Sequence, residues 1–183
     1  RDAKRPIQRH RLGARAPGPF YKIGPAYDRV LWEGLGLSES TLSDARFFAI
    51  SGLFNDDDTP EMYADTLRDA RARDLELLCA NPDIVVQFGD KLIWCAGALA
   101  RDYEQLGGRT VMAGKPYPPI YHLARKELIA LGLQADARVL CIGDGIGTDV
   151  KGAAAQGLGC LFVASGMHGE GLWSDGALDC AKV

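Results

Sequence analysis

Two carboxylates, Asp144 and Asp149, stand close together where an apolar run ends in a glycine-rich turn. The run 138–143 predicts a buried strand, and Gly145 and Gly147 allow the chain to turn tightly behind it. A carboxylate at a strand tip, with a second one soon after it, suits Mg²⁺, which takes few protein oxygens and keeps water and phosphate as its other ligands. The spacing therefore predicts a site for a hard cation.

Helix capping is the simpler explanation of this turn, because Thr148 or Asp149 could cap the helix that follows. Capping accounts for one carboxylate but leaves Asp144 without a role. A dinucleotide site, as in a nicotinamide-dependent oxidoreductase, is a further alternative. The glycines are spaced GxGxG rather than GxGxxG, however, and Asp144 stands where phosphate would approach, so the pattern disfavours that site.

A lysine stands at the tip of another predicted strand. Arg109–Ala113 is followed by Gly-Lys115-Pro and then by a predicted helix. A lysine at such a position can neutralise phosphate charge and keep a nucleophilic carboxylate ionised. Taken alone it could be an ordinary surface lysine of a loop. Together with Asp144 and Asp149 it indicates phosphate chemistry.

The elements that must position these residues alternate strictly between strand and helix from Arg109 onward. Continuous apolar strands that alternate with helices are typical of a parallel sheet covered on both faces, and ligands bind beyond the carboxyl ends of such strands. The earlier part of the chain instead predicts an α+β module, with a hairpin about Gly89-Asp90. We therefore expect an α/β fold, with an α+β module at 1–108 and half of a doubly wound core at 109–183.

Composition disfavours several classes of protein. The 183 residues are 47% apolar and carry a net charge of -3, which allows a packed core and argues against a nucleic-acid-binding surface. No apolar run is long enough to span a bilayer, so we expect no membrane partner. The cysteine pattern favours a cytoplasmic location. The cysteines form no CxxC pair and predict reduced thiols. The aspartates 56–58 lack the alternating spacing of a calcium-binding loop and favour a solvated turn.

Three segments resemble the haloacid dehalogenase superfamily of phosphohydrolases, in particular its capped branch of 4-nitrophenylphosphatase-like and N-acetylglucosamine-phosphate phosphatase-like enzymes. The segments are Cys79–Ala100 (CANPDIVVQFGDKLIWCAGALA), Gly114–Pro116 (GKP) and Gly143–Gly166 (GDGIGTDVKGAAAQGLGCLFVASG), in the order and spacing of that branch. The resemblance implies a Rossmann-like parallel-sheet core, present in part, and identifies the module at 1–108 as the cap.

The resemblance also implies a role for each matched residue. Lys115 would contact the phosphoryl group and the nucleophile, Asp144 would bind Mg²⁺, and Asp149 would support both the metal and Lys115. The candidate catalytic residues are thus Lys115 and Asp149, and the candidate metal ligands are Asp144 and Asp149. The candidate substrate- or phosphate-binding residues are Lys115, Asn81, Gly114, Gly145 and Thr148.

The first motif of the superfamily has no counterpart at the expected place. That motif is an Asp-x-Asp pair on the first core strand, where one aspartate attacks phosphorus and the other acts as general acid and base. The spacing recurs in NDDDTP, but those residues precede a predicted helix, so we reject them as the nucleophile. We predict a Mg²⁺-dependent phosphatase that acts on a small phosphorylated metabolite through an aspartyl-phosphate intermediate in the full-length protein, with this chain inactive alone.

A non-catalytic role is the alternative: a degenerate phosphatase fold that serves as a binding or assembly module. The absent Asp-x-Asp pair favours this alternative. The presence of Lys115, Asp144 and Asp149 together favours the enzyme, because a pure scaffold needs none of them. By resemblance only, a homodimer is the expected assembly.

Overall fold

The computed structural model describes residues 18–89, 91–134, 136–164, 173–174 and 177–178. It divides the chain into two compact units, Arg1–Gly114 and Lys115–Val183, which are described separately. Two residues on which predictions above depend lie outside the described residues: Asp90, in the turn of the predicted hairpin, and Cys180, one of the cysteines.

The first unit holds a five-stranded sheet in which every pairing is parallel. Its order is β2-β1-β3-β4-β7, with strands β1 (Pro19–Ile23), β2 (Ser38–Glu39), β3 (Phe47–Ile50), β4 (Glu76–Cys79) and β7 (Arg109–Met112). A separate antiparallel hairpin joins β5 (Val85–Phe88) to β6 (Lys91–Trp94), as the sequence predicted. The predicted α/β class with a parallel sheet is confirmed. The expectation of an α+β module in this part of the chain is wrong, because its main sheet is wholly parallel and the antiparallel hairpin is separate from it.

The strand Arg109–Met112 belongs to the first unit, whereas the sequence predicted it as the first strand of the second unit. It pairs with β4 at the end of the first unit's sheet. The reason is packing: Met112 contacts the apolar cluster on one face of that sheet and Val111 the cluster on the other. The compact units consequently part after Gly114 rather than near residue 108. The identification of the earlier part as a cap stays a prediction.

Successive side chains of a strand point to opposite faces of the sheet, and here an apolar cluster covers each face. On one face Phe48 and Ile50 pack with helices α1 (Ala64–Ala72) and α2 (Ala96–Gln105). A 3-10 turn, Pro60–Tyr63, leads into α1. On the other face the cluster comprises Phe20, Phe47, Ala49, Leu78, Trp32 and Leu35. The last two come from the segment after β1, which contains the 3-10 helix Ala26–Leu31.

The second unit begins with Lys115 and the helix α3 (Pro118–Ala130). Then follow β8 (Leu140–Gly143), a π-helical turn (Ile146–Val150), α4 (Lys151–Ala155) and β9 (Gly159–Phe162). Strands β8 and β9 pair in parallel, so the predicted strand-helix-strand order is confirmed here. Two short strands, β10 (Trp173–Ser174) and β11 (Ala177–Leu178), form an antiparallel pair. No helix within the described ranges has the length and apolar character needed to cross a membrane.

Candidate functional site

The turn after β8 is built around the backbone carbonyl of Gly145. The amides of Asp149 and Val150 both donate to this oxygen, at 2.8 and 3.1 Å. Glycine is required at two positions of the turn, since a Cβ on Gly143 would lie 2.1 Å from Asp149 Cγ and one on Gly145 2.1 Å from Thr148 Oγ1. The glycine-rich sequence therefore lets the side chains of Thr148 and Asp149 fold back onto the end of β8.

Asp149 is a buried acid with a donor on each carboxylate oxygen. Its side chain is 8% exposed. Oδ1 accepts a hydrogen bond from Lys115 Nζ at 2.6 Å, and Oδ2 accepts one from the amide of Gly145 at 3.1 Å. The side chain of Lys115 is 50% exposed, so its ammonium group both holds the buried carboxylate and reaches solvent. This geometry brings three of the predicted site residues together.

Asp144 directly follows β8 and is partly exposed. A carboxylate at a strand tip has the oxygen chemistry that Mg²⁺ prefers, and Mg²⁺ needs only one or two protein carboxylates when water and phosphate complete its ligands. Within the described part of the chain, no group of three or more His, Cys, Asp and Glu side chains could hold a metal ion. Asp144 has the donor chemistry for Mg²⁺ in this minimal form, and its role as a metal ligand stays a prediction.

Asn81 and Gly114 belong to the first unit. Asn81 Oδ1 accepts a hydrogen bond from the amide of Asp83 at 3.2 Å. A Cβ on Gly114 would lie 2.4 Å from Pro82 Cδ, so the segment before Lys115 packs tightly on the loop after β4. A Cβ on Gly97 would lie 2.0 Å from the carbonyl oxygen of Pro82, which shows that α2 presses on the same loop. These contacts give Asn81 and Gly114 structural roles, and their binding roles stay predictions.

One contact in the second unit was missed by the sequence analysis. A Cβ on Gly152 would lie 2.0 Å from the Tyr121 hydroxyl oxygen and 3.0 Å from Pro116 Cα. Gly152 thus lets α4 approach α3 and the residue after Lys115 closely. The signal that could have revealed this contact is the run of small residues GAAA at 152–155, which is typical of a helix packed at short range. Burial raises the pKa of Tyr121.

The chain is similar to known hydrolases in sequence and in fold. Residues 112–177 match the family model described as HAD-hydrolase-like. A search of curated proteins found no match. Among solved structures, a haloacid dehalogenase-like hydrolase from Brucella suis 1330 is 45% identical, with a TM-score of 0.78, and the match covers 86% of this chain and 62% of that one.

Two further solved structures are similar in fold. A p-nitrophenyl phosphatase from Archaeoglobus fulgidus is 24% identical, with a TM-score of 0.63, over 82% of this chain and 56% of its own. A glycerol phosphate phosphatase from Mycobacterium tuberculosis, in complex with calcium, is 22% identical, with a TM-score of 0.66, over 90% of this chain and 48% of its own. The chain thus spans between 48% and 62% of the length of these three structures.

Proposed function

Because the chain belongs to the haloacid dehalogenase superfamily, as its sequence motifs predicted, we propose that the whole protein is a Mg²⁺-dependent phosphatase that acts on a small phosphorylated metabolite. The observation that carries the proposal is the 2.6 Å contact between Lys115 Nζ and the buried Asp149. A carboxylate that only capped a helix would need no lysine partner. The phosphatases among the solved structures support the reaction class, and the calcium in one of them supports a divalent cation.

Lys115 and Asp149 act as a unit in this proposal. The oxygens of Asp149 each have a protein donor, so its part is to orient Lys115 and the turn after β8 rather than to touch substrate. The half-exposed ammonium group of Lys115 has further N–H donors for a phosphoryl oxygen. There it offsets the charge that develops on the transferred phosphoryl group.

Asp144 is the residue that would hold Mg²⁺ beside this pair. When bound, the cation supplies Lewis-acid stabilisation of the negative charge on the phosphate. Gly145 and Thr148 keep the turn in the conformation that places Asp144 at the strand tip.

The nucleophile is the part of the chemistry that we assign to residues outside these 183. As in the superfamily, an aspartate would attack phosphorus and release the alcohol, which takes a proton from the second acid of the Asp-x-Asp pair. Water then hydrolyses the aspartyl-phosphate and regenerates the carboxylate. The present chain alone should therefore bind phosphate without turning over a phosphate ester.

The test is hydrolysis of p-nitrophenyl phosphate by the whole protein, with and without Mg²⁺. We expect Asp144→Asn to lower kcat/KM by roughly 100-fold or more, the scale on which the loss of one charge-stabilising group acts. Asp136→Asn, at an exposed acid of the same unit, should leave it unchanged. Full Mg²⁺-dependent activity in Asp144→Asn would overturn the assignment of the metal site, and an inactive whole protein would favour the binding module instead.

A further inference from the structure

Two cysteines of the second unit are direct neighbours across its parallel strands. Cys141 in β8 pairs in register with Cys160 in β9. Residues that pair directly in a parallel sheet carry their side chains on the same face, and neighbouring strands lie about 4.8 Å apart. Disulfides join Cα atoms that are about 4.4–6.8 Å apart, so the backbone already holds these two residues at a distance that a disulfide can bridge.

Both thiols lie on the more covered face of this two-stranded sheet. Side chains alternate between the two faces of a strand. Leu140 and Ile142 of β8 and Leu161 of β9 are exposed on one face, whereas Cys141 and Cys160 lie on the other and are partly buried. Both cysteines are free thiols. The pair is therefore shielded from solvent without being sealed from it.

The electrostatics around the two sulfur atoms agree with this pairing. Burial raises the pKa of Cys160, and the charge of a thiolate at Cys141 and then that of Asp149 raise it further. The pKa of Tyr121, from α3, is also raised, first by burial and then by Cys141, Asp149 and Cys160. Like charges have this effect at short range. Both sulfur atoms therefore lie in one cluster with the Tyr121 hydroxyl.

A cavity of about 220 Å³ within the second unit gives solutes access to Cys141. Lys115, His122 and Arg125 also line it, and none of the described residues of the lining is Asp or Glu. Reactive cysteines typically lie in partly exposed, electropositive surroundings. A positively charged lining also attracts anionic reactants. Cys141 is therefore the thiol that an anionic reagent reaches first, and Cys160 is its neighbour on β9.

We propose that Cys141 and Cys160 are a modification site, at which a low-molecular-weight disulfide oxidises the two thiols to a disulfide within the chain. The thiolate of Cys141 attacks one sulfur atom of the reagent, forms a mixed disulfide and releases the first thiolate. The thiolate of Cys160 then attacks Cys141 Sγ, closes the bond between the strands and releases the second thiolate. The two protons lost by the cysteines end on the two released thiols. The protein thus loses two electrons and the reagent gains them.

The bond is expected to form reversibly rather than to serve as a permanent link. A spacing of about 4.8 Å lies at the short end of the Cα range of disulfides, and departures from the usual geometry make the bond easier to reduce. The raised pKa of Cys160 keeps most of this thiol protonated at neutral pH, so the bond closes faster in alkaline solution. Disulfides of this labile kind respond to the redox conditions around them.

The test equilibrates the native chain with glutathione buffers of increasing oxidised fraction and repeats the series in urea. The remaining thiols are then blocked, and peptide mass spectrometry identifies and quantifies each disulfide. We expect a bond between Cys141 and Cys160 that reduced glutathione reverses. It should be favoured about tenfold or more in the folded chain over the unfolded one, because folding has already closed the loop between the two residues.

Two variants separate the roles of the thiols. Cys160→Ser should keep Cys141 as a lasting mixed disulfide with glutathione, because no second thiol displaces it. Cys141→Ser should form a mixed disulfide more slowly than Cys160→Ser does. Cys95→Ser, in the other unit, is the control, since serine is a good residue before a helix such as α2. It should form the bond between the strands as the original chain does.

Three results would overturn the proposal. The first is the absence of a bond between Cys141 and Cys160 in the folded chain at every glutathione ratio. The second is a bond that is no more favoured in the folded chain than in urea, because the strands would then not position the thiols. The third is a bond from either cysteine to Cys180 in its place. None of these measurements involves a phosphate ester, so this proposal and the proposed function succeed or fail separately.

Discussion

Lys115 Nζ and Asp149 Oδ1 are 2.6 Å apart, although the two residues are 34 positions apart in the chain. The carboxylate is buried and the ammonium group is half exposed. Removal of the lysine would leave a buried charge whose remaining donor in the described structure is the amide of Gly145. The pair therefore joins the segment before α3 to the turn after β8, so the position of each segment depends on the other.

A double-mutant cycle on Lys115→Met and Asp149→Asn measures this dependence in the chain itself. We expect a coupling free energy of about 1 kcal/mol, near the low end for contacting residues, because solvent screens the exposed lysine. The measurement is urea unfolding of the two single variants and the double variant. Lys151→Met, at an exposed lysine of the same unit, is the control and should show no coupling to Asp149→Asn. Additive effects of the first pair would show that the contact contributes nothing.

The glycine at the end of β8 should tolerate no side chain. Gly143→Ala would place a Cβ 2.1 Å from Asp149 Cγ, so we expect a loss of about 1–3 kcal/mol in the free energy of unfolding. Gly147→Ala is the matched control, because no atom lies within 4 Å of a Cβ built there. It should be neutral or stabilising. Equal losses in the two variants, measured by urea unfolding, would contradict the packing of Asp149 against β8.

The strand tips that carry Asp144 and Lys115 were predictable, because in each case an apolar run ends at a glycine and a polar residue follows it. The parallel sheet of the first unit was not predictable in the same way. The four residues of β3 are all buried, as are three of the four in β4, so these strands show no alternation that reveals which strand they pair with. Nor did the sequence indicate that β7 pairs with β4, which is why the compact units part after Gly114.

The candidate site was predictable only in part. The sequence analysis placed Lys115 near Asp149 because it expected the strands before them to share one sheet. The two residues do meet, but β7 and β8 belong to different sheets. The sequence could not indicate that each oxygen of Asp149 has a donor, since this depends on the π-helical turn around Gly145. A serine that follows an apolar strand also gives no sign in the sequence that its hydroxyl lacks a hydrogen-bond partner. Within the described residues the hydroxyl of Ser51 lacks one.

The acid sensitivity of the first unit should depend on Tyr63. Its hydroxyl group donates to Asp58 Oδ2 at 2.5 Å, and this hydrogen bond, helped by those from Asn55, holds the pKa of Asp58 below its usual range. A depressed folded-state pKa stabilises the fold above the unfolded-state pKa, and the contribution is lost as pH falls through the folded-state pKa. We expect Tyr63→Phe to raise the pKa of Asp58 towards its usual value.

The measurement is an NMR titration of the Asp58 carboxyl carbon in both proteins. The difference in stability between them should shrink as the solution becomes more acidic than the folded-state pKa of Asp58. Tyr117→Phe, in the other unit, should leave the titration of Asp58 as it is. An unchanged Asp58 titration in Tyr63→Phe would show that the hydrogen bond does not set this pKa.

The cysteines should differ sharply in their reaction with iodoacetamide. Burial raises the pKa of Cys79 to about 12 and also raises that of Cys95. Cys141 and Cys160 are free thiols that are only partly buried, and although burial also raises the pKa of Cys160, both residues are more accessible than Cys79 and Cys95. Because the thiolate is the reactive form and must be accessible, we expect native labelling at Cys141 and Cys160, and labelling of Cys79 and Cys95 only after denaturation. Site-resolved mass spectrometry checks this, and native labelling of Cys79 would mean that β4 opens locally.

The apolar side chains of the second unit's short parallel sheet face outward. Leu140, Ile142 and Leu161 are 59%, 64% and 54% exposed, and among the described strands β8 pairs only with β9. An open strand edge with apolar side chains is a template for a strand of another molecule. We therefore expect the intensity of scattered light to rise more than in proportion to the protein concentration. An intensity proportional to concentration would contradict this association. The concentration of the protein, more than temperature or denaturant, would then decide whether this chain stays monomeric in solution.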